Sequence, residues 1–186
     1  MVIEKFLIEP QKALLIVIDF QEKLANAMKR DVLESTLKNT LKLIHLCKIC
    51  DIPILLTEQY PKGLGQTLIE IKNLIDKPAI EKIHFSCLNE EKFIEKIKQF
   101  NRNQVILVGM EAHVCVFQTA LDFLIRDYRV FVPKDAVCSR RKDDWRVGIE
   151  LIREAGGVIT CSETIVFQIL RKAGTSQFKA MLEFLK

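Results

Sequence analysis

The sequence predicts a three-layer, doubly wound α/β fold in which helices cover both faces of a mainly parallel sheet. Three observations predict it. The apolar runs are short and unbroken, as in "ALLIVIDF" (Ala13–Phe20) and "QVILVG" (Gln104–Gly109), so both faces of each strand are covered. These runs take turns along the chain with segments of helical spacing, the pattern of repeated strand–helix–strand units. Finally, 186 residues with 49% apolar and 28% charged side chains suit one compact domain, here residues 1–186, with a full core.

The elements follow in order. Ala13–Phe20 reads as the first strand, ending in the charge of Asp19. "LESTLKNTLKLIHLCKIC" (Leu33–Cys50) reads as a helix, apolar at Leu37, Leu41, Ile44 and Cys47. "IPILLT" (Ile52–Thr57) is the second strand, while "AIEKIHFSC" (Ala79–Cys87) is a short irregular apolar piece. "EKFIEKIKQF" (Glu91–Phe100) alternates charge sign on one side and is apolar at Phe93, Ile94, Ile97 and Phe100, a solvated helix face. After the strand at Gln104 comes a helix from about Val114 to Arg126, then the strand "RVFVP" (Arg129–Pro133). "DDWRVGIELIREAG" (Asp143–Gly156) is a helix with a glycine stop, and "GVIT" (Gly157–Thr160) a last strand. Helices from Thr164 and Gln177 close the chain.

Composition narrows the function. Lysine and arginine number 28 against 24 acids, spread rather than clustered, which argues against nucleic acid or a membrane surface as the main partner. No apolar run approaches the roughly 20 residues of a membrane span. The opening "MVIEKFLIEP" lacks the layout of a signal peptide, so a cytoplasmic protein with free thiols is expected.

In a doubly wound sheet, ligands bind outside the carboxyl ends of the strands. Cys115 sits there, where an apolar strand gives way to a helix in "LVGMEAHVCVFQTALDFL" (Leu107–Leu124). Unpaired N–H groups of a first helical turn would favour its thiolate and receive an oxyanion. The alternative is a small apolar side chain in the core. Asp19, at the end of the first strand, is either a cap or a base that takes the thiol proton and later returns it. Lys82 alone reads as a surface lysine; beside a carboxylate and a thiolate its ammonium would keep both ionised.

The stretches "LLIVIDFQEKL" (14–24), "LLTEQYPKGLG" (55–65), "EKIHFSC" (81–87), "VGMEAHVCVFQTALDFL" (108–124), "VPKDAVCSR" (132–140) and "SETIVFQIL" (162–170) together resemble the isochorismatase-like superfamily of cysteine hydrolases. That superfamily includes nicotinamidases and N-carbamoylsarcosine amidohydrolases. "TEQYPKGLG" followed by "EAHVCVFQTALD" is most similar to the branch of isochorismatase domain-containing proteins. The resemblance implies an Asp–Lys–Cys triad on Asp19, Lys82 and Cys115. It also implies a non-proline cis peptide at Met110–Glu111, aiming the Glu111 N–H beside that of Cys115 as an oxyanion hole. The activity it implies is hydrolysis of a non-peptide C–N bond in a small amide or related acyl substrate, through a thioacyl intermediate. Homo-oligomers, dimers or larger, are common in the family.

Nicotinamidases hold a metal through an aspartate and histidines in the loop after the second strand. Here "TEQYPKGLGQTLIEIKNLID" (57–76) contains no histidine, so no metal and no cofactor is expected. The loop "EQYPKGLG" borders the expected pocket. Gln59 and Tyr60 are candidate substrate contacts, with a plain surface turn as the alternative. Gln21 is a candidate to orient the carboxylate or line the site, Phe85 to form an apolar wall, and His113 to contact substrate or serve as the base in a Cys–His pair. Cys138, in "DAVCSR", is the strongest rival nucleophile, and "CKIC" (Cys47–Cys50) has redox spacing but lies within an amphipathic helix. Trp145 and its neighbouring arginines suit a subunit interface. Two other functions remain open at this level: isochorismate-type vinyl ether hydrolysis with the aspartate as acid, and a non-catalytic redox-sensing or small-molecule-binding module.

Overall fold

The computed structural model describes residues 2–185. Its centre is a sheet of seven strands: β1 (Ala13–Ile18), β2 (Ile54–Gln59), β3 (Ile80–Lys82), β4 (Gln104–Met110), β5 (Arg129–Pro133), β6 (Val137–Cys138) and β7 (Val158–Thr160). Every pairing among them is parallel, in the order β3-β2-β1-β4-β5-β7, with the two-residue β6 alongside the end of β4. The helices are α1 (Glu22–Asn26), α2 (Arg30–Ile49), α3 (Pro61–Leu64), α4 (Ile69–Lys72), α5 (Glu91–Phe100), α6 (Phe117–Ile125), α7 (Lys142–Glu154), α8 (Ser162–Leu170) and α9 (Ser176–Met181).

All six residues of β1 and all seven of β4 are buried, because their side chains feed two cores at once. Leu15, Val17, Ile106 and Val108 face the layer of α2, α8 and α9. Leu14, Ile16, Leu107 and Val105 face the layer of α5, α6 and α7. Period-two alternation therefore sorts apolar side chains between two covered faces, which is why the runs read as unbroken. Phe93 and Ile97 of α5 are buried and Ile94 and Phe100 partly so, matching the expected stripe.

Three local expectations need correction. The strand from Ala13 ends at Ile18, because Asp19 turns to φ +51° and leaves the extended region. On α2 the buried stripe is Thr36, Thr40, Leu43, Ile44, Leu46 and Cys47, with Leu37 and Leu41 only partly covered. The Asn39 amide donates to the Asp135 carbonyl at 3.1 Å, so this part of the helix is oriented by polar contacts as well as by apolar area. Residues 80–82, irregular by composition, form the edge strand β3 because β2 offers the register Thr57↔Ile80 to Gln59↔Lys82.

The chain order fixes where a ligand crevice forms. From β1 the chain proceeds to β2 and β3 on one side, and β4 returns to the other side of β1. The strand order reverses between β1 and β4, and the crevice outside their carboxyl ends is the expected ligand position.

Candidate active site

Asp19 lies at that reversal. Its backbone N–H donates to the Thr57 carbonyl at 3.2 Å, tying the end of β1 to β2. Gly109 of β4 pairs with Ile18 at φ +131°, and a Cβ there would run into the Ile18 carbonyl, so only glycine lets the two strand ends approach this closely. The Asp19 carboxylate is fully buried. Oδ1 accepts from Thr57 Oγ1 at 2.8 Å, and Oδ2 lies 2.7 Å from Lys82 Nζ.

Lys82 reaches this position from β3, across the end of β2, and its side chain is buried. Besides Asp19, its ammonium is surrounded by Gln59 Oε1 at 2.6 Å, the Phe85 carbonyl at 3.1 Å and the His84 carbonyl at 3.3 Å. Asp19 Oδ2 and the Lys82 ammonium thus form a buried ion pair at hydrogen-bonding distance. Burial pushes the Asp19 carboxyl above the ordinary carboxylate range, with the Lys82 charge opposing it. Burial is the largest influence and works against the Lys82 ammonium, but the Asp19, Cys87 and Cys115 charges and the Asp19 hydrogen bond together outweigh it and raise its pKa.

Cys115 enters from the other side of β1. After β4 the chain makes one wide π-helical turn, Ala112–Val116, before α6 begins. The Val116 N–H donates to the Glu111 carbonyl at 3.2 Å, the five-residue spacing that defines such a turn and that recurs at functional sites. The helix expected from Val114 thus starts with this distinct turn. Helix α7 presses against it through Gly148, where a Cβ would meet the Ala112 carbonyl oxygen at 2.8 Å. The Met110–Glu111 peptide is cis. The Glu111 carboxylate is fixed by the Arg140 backbone N–H and Nε, both at 3.0 Å.

Cys115 is 6% exposed as a residue, while the Asp19 and Lys82 side chains are fully buried. The Cys115 thiol lies within hydrogen-bonding reach of the Asp19 carboxyl. Burial pushes its pKa well up and the Asp19 charge adds to this, while Lys82 works in the opposite direction. Desolvation thus works against the thiolate that a helix-start environment was expected to favour.

The other candidates are placed as follows. Gln21 is fully buried, with Nε2 donating to the Gln59 and Gly65 carbonyls at 3.0 and 2.7 Å and Oε1 accepting from the Gln59 N–H at 2.7 Å. Gln59 spends its own amide on Lys82 and on the Ile83 carbonyl, at 2.6 and 2.7 Å. Tyr60 and Phe85 are about half exposed. His113 turns its Nδ1 to Ser139 Oγ at 2.9 Å, with Asp144 4.0 Å from Nε2. His84 turns to Glu90 at 2.9 Å. Cys138 is buried in β6, pushed up to about 12 by burial, with Thr36 and Glu111 rather than the Asp19–Lys82 pair as its electrostatic neighbours. Trp145 donates its indole N–H to the Val137 carbonyl at 3.1 Å.

Two neighbours of the cluster were not among the candidate site residues. Thr57 hydrogen-bonds Asp19, and its place at the expected end of the second strand, beside the first, is the signal that pointed to it. Cys87 is a second buried thiol that senses both the Asp19 and Lys82 charges and is pushed up to about 12 by burial. No local pattern marked it. Among the described residues no group of three or more histidine, cysteine or acidic side chains is placed to hold a metal ion. A cavity of about 500 Å³ adjoins the turn through Ser139 and Arg140, with Trp145, Lys29, Lys134 and Lys142 also on its wall. No helix among the described residues is long and apolar enough to cross a membrane.

Comparison with known proteins agrees with this architecture. Residues 13–164 match the Isochorismatase domain family. Isochorismatase family protein 1B of Dictyostelium discoideum is 34% identical over 96% of this chain and 88% of its own length. A relative from Phytophthora sojae, named the secreted isochorismatase effector Isc1, is 35% identical over 95% of this chain and 86% of its own. The solved structure of a Caenorhabditis elegans protein described as MAR1 ribonuclease superposes with a TM-score of 0.89 at 34% identity, covering 96% of this chain and 92% of that one. The family match extends from the first strand, with Asp19 at its end, through the turn of Cys115 into α8, and the fold agrees at the same time: this chain belongs to the isochorismatase family of hydrolases.

Proposed function

We propose that the protein is a metal-independent cysteine hydrolase acting on a small amide or related acyl compound, with Asp19, Lys82 and Cys115 as its triad. Asp19 takes the Cys115 proton as the sulfur attacks the substrate carbonyl, and the carbonyl π electrons move to oxygen. The N–H groups of Glu111 and Cys115 hold that oxyanion. It collapses, breaking the C–N bond, and the leaving amine takes the proton from Asp19. Water then attacks the thioester and gives Asp19 a proton, which returns to sulfur as the acid departs. The Lys82 ammonium keeps the carboxylate ionised between steps.

The observation that supports this reading most is the convergence at one buried place of the Asp19 carboxylate, the Lys82 ammonium 2.7 Å from its Oδ2, and the Cys115 thiol within reach of the same carboxyl. Vinyl ether hydrolysis finds a single point of support, that burial raises the Asp19 pKa and so suits an acid. Cytoplasmic location and self-association stay part of the proposal. The relative named as a secreted effector makes fractionation the direct check on the first, and sedimentation decides the second.

The test is a panel of small amides, ureas and esters, with an RNA oligonucleotide added because one relative is described as a ribonuclease. Hydrolysis of an amide or ester, with an acyl adduct on the Cys115 peptide, supports the proposal. A vinyl ether is included as well, and its hydrolysis surviving in Cys115→Ala but not in Asp19→Asn would favour the vinyl ether class. Where turnover is found, the rate is expected to fall on the acid side as Asp19 gains a proton. Because burial raises that pKa, the midpoint lies above the ordinary carboxylate range. An acid limb at the ordinary carboxylate position would speak against Asp19.

A further inference from the structure

We infer that the cavity adjoining the Cys115 turn is a binding site for a small organic anion, an oxyanion group joined to an apolar body. None of Asp19, Lys82 and Cys115 lines it, so the site stands or falls independently of the proposed chemistry.

The wall of the cavity is basic. It carries four cations, Lys29, Lys134, Arg140 and Lys142, against two acids, Asp31 and Asp135. The Asp135 carboxylate is already engaged at the start of α8, where it accepts from the Ser162 N–H at 2.8 Å and from Ser162 Oγ at 2.7 Å. Arg140 gives its Nε to Glu111, and its two terminal nitrogens make no hydrogen bond among the described residues. The ammonium groups of Lys29, Lys134 and Lys142 have no ion pair among the described residues either. One exposed lysine is ordinary on a protein surface. Four basic side chains around one concavity focus a positive field into it, which draws an anion in.

The cavity is also sized and fixed for an organic ligand. Its volume of about 500 Å³ lies within the roughly 300–1,000 Å³ typical of small-molecule sites and exceeds what a lone phosphate fills. The wall is held in place by contacts behind it. The Trp145 indole N–H donates to the Val137 carbonyl at 3.1 Å, and Ser139 Oγ shares a hydrogen bond with His113 Nδ1 at 2.9 Å. Arg140 is held on Glu111 through both its backbone N–H and its Nε, each at 3.0 Å. The half-buried Trp145 ring, with Val32 and Val137, supplies the apolar part of the wall. Cations and a fixed aromatic ring on one wall suit an anion that carries an apolar body.

Phenyl phosphate is the probe, with inorganic phosphate lacking the ring and phenol lacking the charge. Calorimetry on the full chain measures affinity, and the fluorescence of Trp145, the sole tryptophan, reports the place. Phenyl phosphate is expected to bind saturably with a Kd of about 1 mM or tighter, in keeping with a ligand of its size, and to change the Trp145 emission. Phenol and inorganic phosphate are each expected to bind about tenfold more weakly or worse. Lys134→Gln combined with Lys142→Gln removes two exposed charges without disturbing the core, and is expected to weaken phenyl phosphate about tenfold. Lys134→Arg combined with Lys142→Arg keeps the charges and retains binding, and Cys115→Ala binds as wild type does. Absence of saturation, phenol binding as tightly as phenyl phosphate, or unchanged affinity in the double glutamine variant overturns the inference. Loss of binding in Cys115→Ala would place the ligand in the triad crevice and overturn it as well. The binding result stands whether or not any substrate is turned over.

Discussion

Replacing Cys115 by alanine is expected to abolish turnover of any substrate found for this protein, by a factor on the order of 10⁴ or more, while leaving the fold intact. Both halves follow from position. The side chain sits in a wide turn whose shape is set by backbone contacts, the Val116 N–H to the Glu111 carbonyl and Gly148 against Ala112, so losing one sulfur does not undo the turn. The reaction, in contrast, loses the only atom that forms the covalent intermediate. Cys138 does not substitute for it, since it lies in β6, buried, with its charge environment made by Thr36 and Glu111. Cys87 shares the charge environment of Asp19 and Lys82 but is wholly buried, so substrate has no path to it. The check is the substrate panel run on wild type and Cys115→Ala with circular dichroism on both. Residual turnover within tenfold of wild type would contradict covalent catalysis.

Lys82→Met is expected to cost stability as well as activity. It leaves the Asp19 carboxylate fully buried without its cation, a change worth about 3–5 kcal/mol in comparable buried pairs. Against a typical total stability of about 5–15 kcal/mol, that is a large fraction. The sign with pH is definite. Removing the cation raises the Asp19 pKa further above its unfolded value. A group raised on folding favours the fold when protonated, so the deficit is largest at neutral pH and shrinks as pH falls. Adding Asp19→Asn removes the stranded charge, so the double variant is expected to recover a good part of the loss. Urea unfolding of the two single variants and the double variant measures this. Equal stability of Lys82→Met and wild type would mean that the pair is not electrostatically coupled.

Much of the architecture was legible because burial on two faces leaves a plain mark. β1, β2, β4 and β5 announce themselves as unbroken apolar runs, and Asp19 stands out as the charge that ends the first. What the sequence concealed was held by partners rather than by composition. Ile80–Lys82 and Val137–Cys138 are strands only because β2 and β4 present free edges to them. The π turn at Ala112–Val116 has no residue signature that distinguishes it from an ordinary helix start. Lys82 taken alone reads as a solvated lysine, and only the register of β3 on β2 carries it beside Asp19. Gln21 and Gln59 looked like pocket residues because amides near a strand end often are. The structure instead gives their hydrogen bonds to backbone and to Lys82, which no local pattern encodes.

The central claim is that Asp19 and Lys82 activate one particular sulfur. Its most direct measurement is the rate at which iodoacetamide labels each of the six cysteines of the native protein at neutral pH. Cys50 and Cys161 are partly exposed, Cys115 is only 6% exposed, and the other three are buried. The expected result is that Cys115 reacts first despite its burial, and that Asp19→Asn removes this lead. Labelling in order of exposure, with Cys161 and Cys50 ahead of Cys115 and no effect of Asp19→Asn, would contradict it.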